Sequence, residues 1–219
     1  MNKTLEDFHP IQQGTQCSFA KAAKLWGGCD GLYDSPSTAD RNAATLTELV
    51  RRSTIAGEAL DGFCIALPGD GGPEILGHRA RSVLTSLSDR DSAKENMMRK
   101  AYIGQRGWRF RLSGTDFFVT IFAPCYPSTS SRFSFGTPSA FVLLQPEVSF
   151  YRHKLSADSP VTADPPKTIR GRTRLAFRNA GRSYHIPDTI HYPLAEHIVK
   201  PLRDDGKAIV RWSTDDAIK

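Results

Sequence analysis

The sequence has few of the features that mark secreted, membrane or disulfide-linked proteins. Its first ten residues lack the apolar core of a signal peptide. No run of about 18 apolar residues is present that could span a bilayer. The cysteines at 17, 29, 64 and 125 show no Cys-x-x-Cys spacing, which argues against a zinc ribbon or a redox dithiol. We therefore expect a soluble cytoplasmic protein with free thiols and no membrane partner.

Several catalytic motifs are also missing. The Gly-rich loop 68–73 lacks the Gly-Lys-Ser/Thr ending that holds phosphate, so we predict a turn there. No Gly-x-Ser-x-Gly elbow provides a serine nucleophile. Glu6-x-x-His9 is a lone example of a motif that di-iron sites repeat. His185, His191 and His197 recur every six residues, which fits neither helical nor strand ligation of a metal.

The chain does have the composition of a globular protein, with an uneven charge. Its 219 residues are 39% hydrophobic and carry a net charge of +6, which suits a single domain over 1–219. The segment 167–182 holds six basic residues and no acid. It is either a solvated helix face or an anion-binding surface. Nucleic acid is not expected as a partner, because no aromatic platform is interleaved with these cations.

The hydrophobic pattern predicts a mixture of helices and strands. We expect helices over 18–26, from a cap at Ser37 or Asp40 to about residue 60, over 73–89 and 168–180, and from about 194. His9-Pro10 is expected in an extended leading segment. Strands are predicted at 62–67, 108–112, 116–122 and 140–145, the second and third forming a hairpin around Ser113-Gly114-Thr115. The predicted fold class is α/β (α+β), with a central mixed, largely antiparallel sheet flanked by helices.

A polar loop between two of these strands is the candidate site. It carries Tyr126, Ser130, Ser131 and Arg132, and binding residues commonly lie on loops held by rigid strands. A guanidinium binds a carboxylate in bidentate fashion, so Arg132 is expected to hold an anionic group with Ser130 and Ser131. Mutation of Arg132 is therefore expected to weaken ligand binding.

The same region resembles a known protein family. "FFVTIFAPCYPSTSSRFSF" at 117–135, followed by "FVLLQPEVSF" at 141–150, is similar to the YqcI/YcgG family. His9-Pro10, "CSFAKAA" at 17–23, "IRGRTRLAFRNAGRSY" at 169–184 and "VKPL" at 199–202 resemble parts of some relatives. Characterised members are haem-dependent N-hydroxylases of guanidino compounds such as arginine.

The resemblance implies a haem-dependent N-oxygenase of a small amino or guanidino compound. Haem b would act with O2 and an external electron donor or redox partner. Tyr126-Pro127 and Gln145-Pro146-Glu147 depart from the family pattern, which indicates a substrate other than arginine. The alternative is a non-catalytic ligand- or partner-binding protein of the same fold that has lost haem. The sequence leaves the oligomeric state open, including a homodimer.

Roles for individual residues follow from this resemblance and from their positions. Tyr126, Arg132 and Glu147 are the expected catalytic residues, with Glu147 pairing with a cationic nitrogen. Haem would be bound by His153, Arg132, Ser131 and Cys17. His153 is the expected iron ligand, because it follows the central strand among aromatic neighbours. Cys17 is an alternative ligand, since the positive end of a helix at 18 would lower its pKa and favour the thiolate, and His9 or another histidine is also left open.

Overall fold

A five-stranded open sheet organises the chain. The computed structural model describes residues 2–29, 31–55, 58–100, 103, 107–155, 165–184 and 195–203. The strand order is β1-β2-β5-β4-β3; β1 and β2 are parallel and the other pairs are antiparallel. The bounds are β1 Leu25–Gly27, β2 Gly62–Leu67, β3 Phe110–Leu112, β4 Thr115–Phe122 and β5 Ala140–Pro146. The predicted mixed, largely antiparallel sheet is therefore confirmed, with β5 at its centre and buried along its length.

Helices flank the sheet, and their ends carry recognisable capping signals. Ser35 accepts a hydrogen bond from the Thr38 N–H at the start of α3, and Pro73 occupies the first turn of α4. Among the described residues, no helix has the length and apolar character needed to cross a membrane. The helices are α1 Lys3–Gly14, α2 Ser18–Ala22, α3 Pro36–Ser53, α4 Pro73–Asp89, α5 Met97–Lys100, α6 Glu147–Arg152, α7 Ile169–Asn179 and α8 Ala195–Ile198.

The two faces of the sheet are covered differently. Alternate residues of β5 point to opposite faces, as the pleat requires. Val142 and Leu144 join the main core, to which α3 and α4 contribute their apolar stripes. We call this side the sealed face. Phe141 and Leu143 join a smaller cluster with residues of α1, and we call that side the cleft face.

Three sequence predictions need correction. Residues 3–14 form α1 with Pro10 inside the helix, although His9-Pro10 was expected to be extended. The helix predicted over 18–26 ends at Ala22, and Leu25–Gly27 forms β1 because it pairs with β2. The helix expected to reach residue 60 ends at Ser53. Tertiary pairing decides these boundaries over local propensity. Residues 156–164, together with His185 and His191, lie outside the described residues.

A candidate ligand-binding cleft

An aromatic-walled cleft opens on the cleft face of the sheet. It lies between α1, α2 and the outward-pointing residues of β4 and β5, and its cavity volume is about 120 Å³. A second cavity of about 100 Å³ adjoins it and shares Cys17, Phe19 and Gln145 with it. The aromatic walls of the cleft are Phe8, Phe19, Phe118, Phe122, Phe177 and Tyr184.

Strand alternation in β4 and the short α1 create this cleft. Phe118, Thr120 and Phe122 face it, whereas Val119 and Ile121 belong to the sealed core. Phe8 of α1 covers one end, with its ring edge-on to Phe122 at 5.8 Å between centroids. The part of the sheet face that Phe8 does not cover is thus left open to a ligand.

The charge at the cleft is positive. Arg132, with 5% of its surface exposed, and the buried Lys200 both line it, and Arg170 lines the adjoining cavity. The Arg132 guanidinium lies 5.9 Å from the centroid of the Phe122 ring. Within the described part of the chain, no aspartate or glutamate lines either cavity. Two cationic side chains therefore lie on the lining of the cleft and a third on that of the adjoining cavity.

The loop that carries Arg132 is fixed in place. The Ala123 N–H donates to the Arg132 carbonyl at 3.2 Å, and the Arg132 N–H donates to Ser130 Oγ at 3.1 Å. Ser131 lies beside it on the cleft lining. A preorganised loop of this kind can hold a charged side chain in one position without ordering it on binding.

Part of the basic segment 167–182 is structural. Arg182 stacks on Phe135, 4.3 Å from the ring centroid, and donates to the Ser128 carbonyl at 2.9 Å and to Gln16 Oε1 at 2.7 Å. Arg174 is buried. These side chains tie α7 and its end to the rest of the fold, so the segment is not simply a solvated helix face.

Cys17 lines both cavities, but its predicted thiolate is contradicted. It is the N-cap of α2, which has only five residues. Burial raises the pKa of the Cys17 thiol, and this effect outweighs the lowering by the backbone N–H groups of Ala20 and Phe19 and by the charge of Arg170. A one-turn helix gives too weak a field to offset the loss of hydration.

Tyr126 lies away from the cleft lining. Its ring is packed in the main core, and its hydroxyl donates to the Lys200 carbonyl at 3.0 Å. Burial raises the pKa of the Tyr126 phenol. A neutral, buried phenol with a backbone partner fixes the segment that carries Lys200. The catalytic role predicted for Tyr126 has no supporting contact with the cleft.

Glu147 also lies outside the cleft lining. Its carboxylate accepts hydrogen bonds from Arg109 at 3.2 Å and from the Tyr151 hydroxyl at 3.3 Å. Arg109 in turn contacts Asp116, which also pairs with Arg111. Glu147 thus belongs to an ion-pair network at the β3–β4 edge, and its predicted pairing with a substrate cation has no support in its position.

His153 is held by a buried carboxylate. Its Nε2 lies 2.9 Å from Asp61 Oδ1, which also accepts hydrogen bonds from Ser149 Oγ at 2.7 Å and Arg152 at 2.9 Å. The His153 ring packs edge-on against Phe19, a cleft residue, at 4.8 Å between centroids. His153 thus lies behind Phe19 with Nε2 engaged by Asp61, and ligation of iron through Nδ1 would leave this contact intact. No cluster of three or more His, Cys, Asp or Glu side chains that could hold a metal occurs among the described residues.

Two polar residues of the cleft were not predicted as site residues from the sequence. Gln145 is 8% exposed and lines both cavities, and Thr120 is 6% exposed and lines the main one. Gln145 stood out only as a departure from the family pattern at the end of a doubly covered strand, and Thr120 did not stand out at all. The available signal was the period-two alternation of Phe118, Thr120 and Phe122, which places Thr120 among cleft-facing aromatic residues.

The fold and the cleft define the class of this protein. It is an α/β protein with an open five-stranded mixed sheet and a ligand-sized cleft on one face. The chain matches no family model, no curated protein and no solved structure. The cleft and the sequence resemblance are therefore what can support a function.

Proposed function

We propose that this protein is a haem-dependent N-oxygenase of a small nitrogen compound. The observation that carries the proposal is the aromatic cleft with a buried arginine in its lining. Flat apolar walls suit a porphyrin, and a guanidinium suits a propionate or a substrate carboxylate. The resemblance described for 117–150 supplies the chemistry that this cleft would serve.

The side chains at the cleft have the chemistry that a haem needs, although a cavity of about 120 Å³ must widen to admit one. Phe118, Phe122 and Phe177 provide flat apolar surface, while Arg132 and Lys200 provide positive charge for the propionates. Of the two predicted axial ligands, Cys17 lines the cleft and His153 lies behind Phe19. Iron deprotonates a coordinating thiol, so the raised pKa of Cys17 does not exclude it as a ligand. Position therefore favours Cys17 over His153.

Haem, when bound, would activate O2 with electrons from an external donor. The chain's own contribution is binding and orientation. Arg132, Lys200 and Ser131 would hold an anionic group at one end of the cleft, and the aromatic walls would keep water from the reacting nitrogen. Gln145 and Thr120 offer hydrogen bonds on the sheet side of the cleft.

Titration of the full chain with haemin tests this proposal. We expect a saturable change in the intense violet absorption band. Cys17→Ser should alter that band more than His153→Ala, with His78→Ala on the exposed side of α4 as the control. If His153→Ala alone removes the band, the ligand is the histidine. Absence of any saturable change would rule out the haem enzyme.

The alternative function is ligand binding without catalysis. It is favoured by the placement of Tyr126 and Glu147 outside the cleft lining. In that case the purified protein is colourless and haemin binding does not saturate, while the cleft still binds a small anion.

A further inference from the structure

We propose that α2 is a gate between the two cavities and that Gln12 of α1 holds it shut. Phe19 of α2 lines both cavities, whose volumes are about 120 and 100 Å³. When α2 moves away from the sheet, the Phe19 ring leaves the wall that the cavities share, and the two become one. The inference names the regulation of the cleft, and it rests on the proposed function only for the identity of the molecule that enters.

The wall between the two cavities has a sheet side and a helix side. The residues that line both cavities are Cys17, Phe19, Phe118, Gln145 and Tyr184. Phe118 of β4 and Gln145 of β5 are paired opposite each other, so the register of the sheet fixes them. Phe19 belongs to α2 and Cys17 is its N-cap, so both move with that helix. Displacement of α2 therefore joins the cavities without disturbing the sheet.

The helix α2 is weakly anchored. It has five residues, none of them is buried, and the side chain of its N-cap, Cys17, makes no capping hydrogen bond. A single helical turn fixes several backbone torsions for few hydrogen bonds, so it is not stable without its neighbours. The Ser18 hydroxyl lies 3.5 Å from Thr173 Oγ1, at the limit of a hydrogen bond. The position of α2 therefore depends on its contacts with α1 and α6.

Gln12 makes the contact between α1 and the end of α2. Its Nε2 donates to the carbonyls of Ala20 and Ala23, each at 3.0 Å. Both hydrogens of one amide are thus used on the last turn and the C-cap of α2, where a helix leaves carbonyls without partners of its own. If these two bonds break, the carbonyls regain partners in water only when α2 moves outward. Gln12 is therefore the latch of the gate.

Aromatic contacts form the seat against which the gate closes. The Phe19 ring centroid lies 5.7 Å from that of Phe150 in α6 and 4.8 Å from that of His153, the C-cap of α6. His153 is fixed in turn by Asp61, 2.9 Å from its Nε2. Ring pairs of this kind add only a modest stabilisation, so they position Phe19 without preventing the gate from opening.

The alkylation rate of Cys17 by iodoacetamide measures the opening of the gate in the full chain. Gln12→Met keeps the length of the side chain and removes its amide. One hydrogen bond shifts an equilibrium by about twofold to tenfold, so the loss of two should raise the open fraction, and with it the rate at Cys17, by about tenfold. Gln12→Glu, which replaces the donor with an acceptor oxygen, should raise the rate at least as much.

Two controls separate gating from a general loss of stability. Cys64 of β2 is fully buried in the sheet and does not line either cavity, so its alkylation requires a larger opening and should keep the parental rate. Gln13→Met, on the exposed side of α1, is the matched substitution and should change neither rate. Peptide mass spectrometry follows both cysteines in one sample.

Two outcomes overturn the inference. An unchanged rate at Cys17 in both Gln12 variants would show that Gln12 holds no gate. Equal acceleration at Cys17 and Cys64 would show that the substitutions only loosen the whole fold. Both rates are measured without haemin, so a gated Cys17 in a chain that binds no haemin would refute the haem enzyme and leave the gate standing. Saturable haemin binding with no acceleration at Cys17 would do the reverse.

Discussion

The two faces of the sheet are built from the same strands, but one is packed into a core and the other lines a cavity. On the sealed face, α3 and α4 cover β2, β4 and β5 with aliphatic side chains that exclude solvent. On the cleft face, the shorter α1 and the one-turn α2 leave aromatic and polar residues exposed to a cavity. The length of the covering helices thus decides which of the two alternating sets of strand residues is packed into a core and which lines a cavity.

Two adjacent leucines of β5 give the largest expected contrast. Leu144 is fully buried on the sealed face, whereas Leu143 lines the cleft and is 7% exposed. Leu144→Ala should lower the free energy of unfolding by about 3–5 kcal/mol, because it leaves a cavity in a packed core. Leu143→Ala should cost about 1–2 kcal/mol, because the removed atoms already border open space. Urea unfolding of both variants measures the difference, and equal costs would show that the cleft face is as tightly packed as the sealed face.

Asp61 joins the two faces at one end of the sheet. Its substitution should have the second-largest effect on the free energy of unfolding. Burial raises the Asp61 pKa, but hydrogen bonds from the Lys24 N–H, Ser149, Arg152 and His153 outweigh it and hold that pKa below its ordinary value. Asp61→Asn should cost about 2–4 kcal/mol in the free energy of unfolding, because it leaves the Arg152 charge without its carboxylate. Asp40→Asn, which removes an exposed pair with Arg90, should cost less than about 1 kcal/mol.

The same residue predicts a pH dependence. A carboxylate whose pKa is depressed in the folded state stabilises the protein above its unfolded pKa of about 3.9, and that stabilisation is lost as the pH falls through the folded pKa. The parent chain should therefore lose stability below about pH 4, and Asp61→Asn should lose less over the same interval. Parallel pH profiles of parent and variant would show that Asp61 does not carry this dependence.

Arg132 distinguishes the charged cleft face from the apolar sealed face. Lysine keeps the charge but not the planar fork, so Arg132→Lys should weaken haemin binding by roughly tenfold to hundredfold, or about 1.5–3 kcal/mol. The melting temperature should change little, because the backbone contacts of the loop remain. Arg51→Lys, in an exposed pair with Glu48, is the control. Parental affinity in Arg132→Lys would mean that the loop is structural and the site lies elsewhere.

The smallest effect concerns the reactivity of Cys17. Because burial raises its pKa, the thiolate is scarce at neutral pH, and alkylation by iodoacetamide should be slower than that of an unhindered thiol. Its rate should rise with pH beyond the range in which an ordinary thiol titrates, and a cleft ligand should slow it further. Peptide mass spectrometry follows each cysteine separately. Rapid alkylation at neutral pH would show that Cys17 is a thiolate, as the sequence suggested.

Strong local patterns explain what the sequence could predict. The stripe of Leu76, Ala80, Leu84 and Leu87 identifies α4, and it is buried as expected. The hairpin forms at Ser113-Gly114, where both residues have positive φ. In contrast, β1 has three residues and exists only through pairing with β2. A segment this short shows no hydrophobic periodicity, so its long-range pairing could not be predicted. The helix α1 was not predicted because Pro10 lies inside it.

The site was predictable only in part for the same reason. Ser131, Arg132 and Cys17 do line one cleft, although their roles remain predictions. Glu147, Tyr126 and His153 follow strands or turns as expected, yet their side chains are directed to other partners. The placement of Gln145 and Thr120 near each other on one face depends on the register of β4 against β5, which the apolar run of β5 does not encode.

The ends of the sheet have a consequence for self-association. Its edge strands, β1 and β3, are each three residues long, and the middle residue of β3 is the exposed Arg111. Short edges with a charge offer few unpaired N–H and C=O groups to another strand. We therefore expect the protein to resist fibril formation through sheet extension, even at high concentration. If two copies associate, they should meet through helical or loop surfaces.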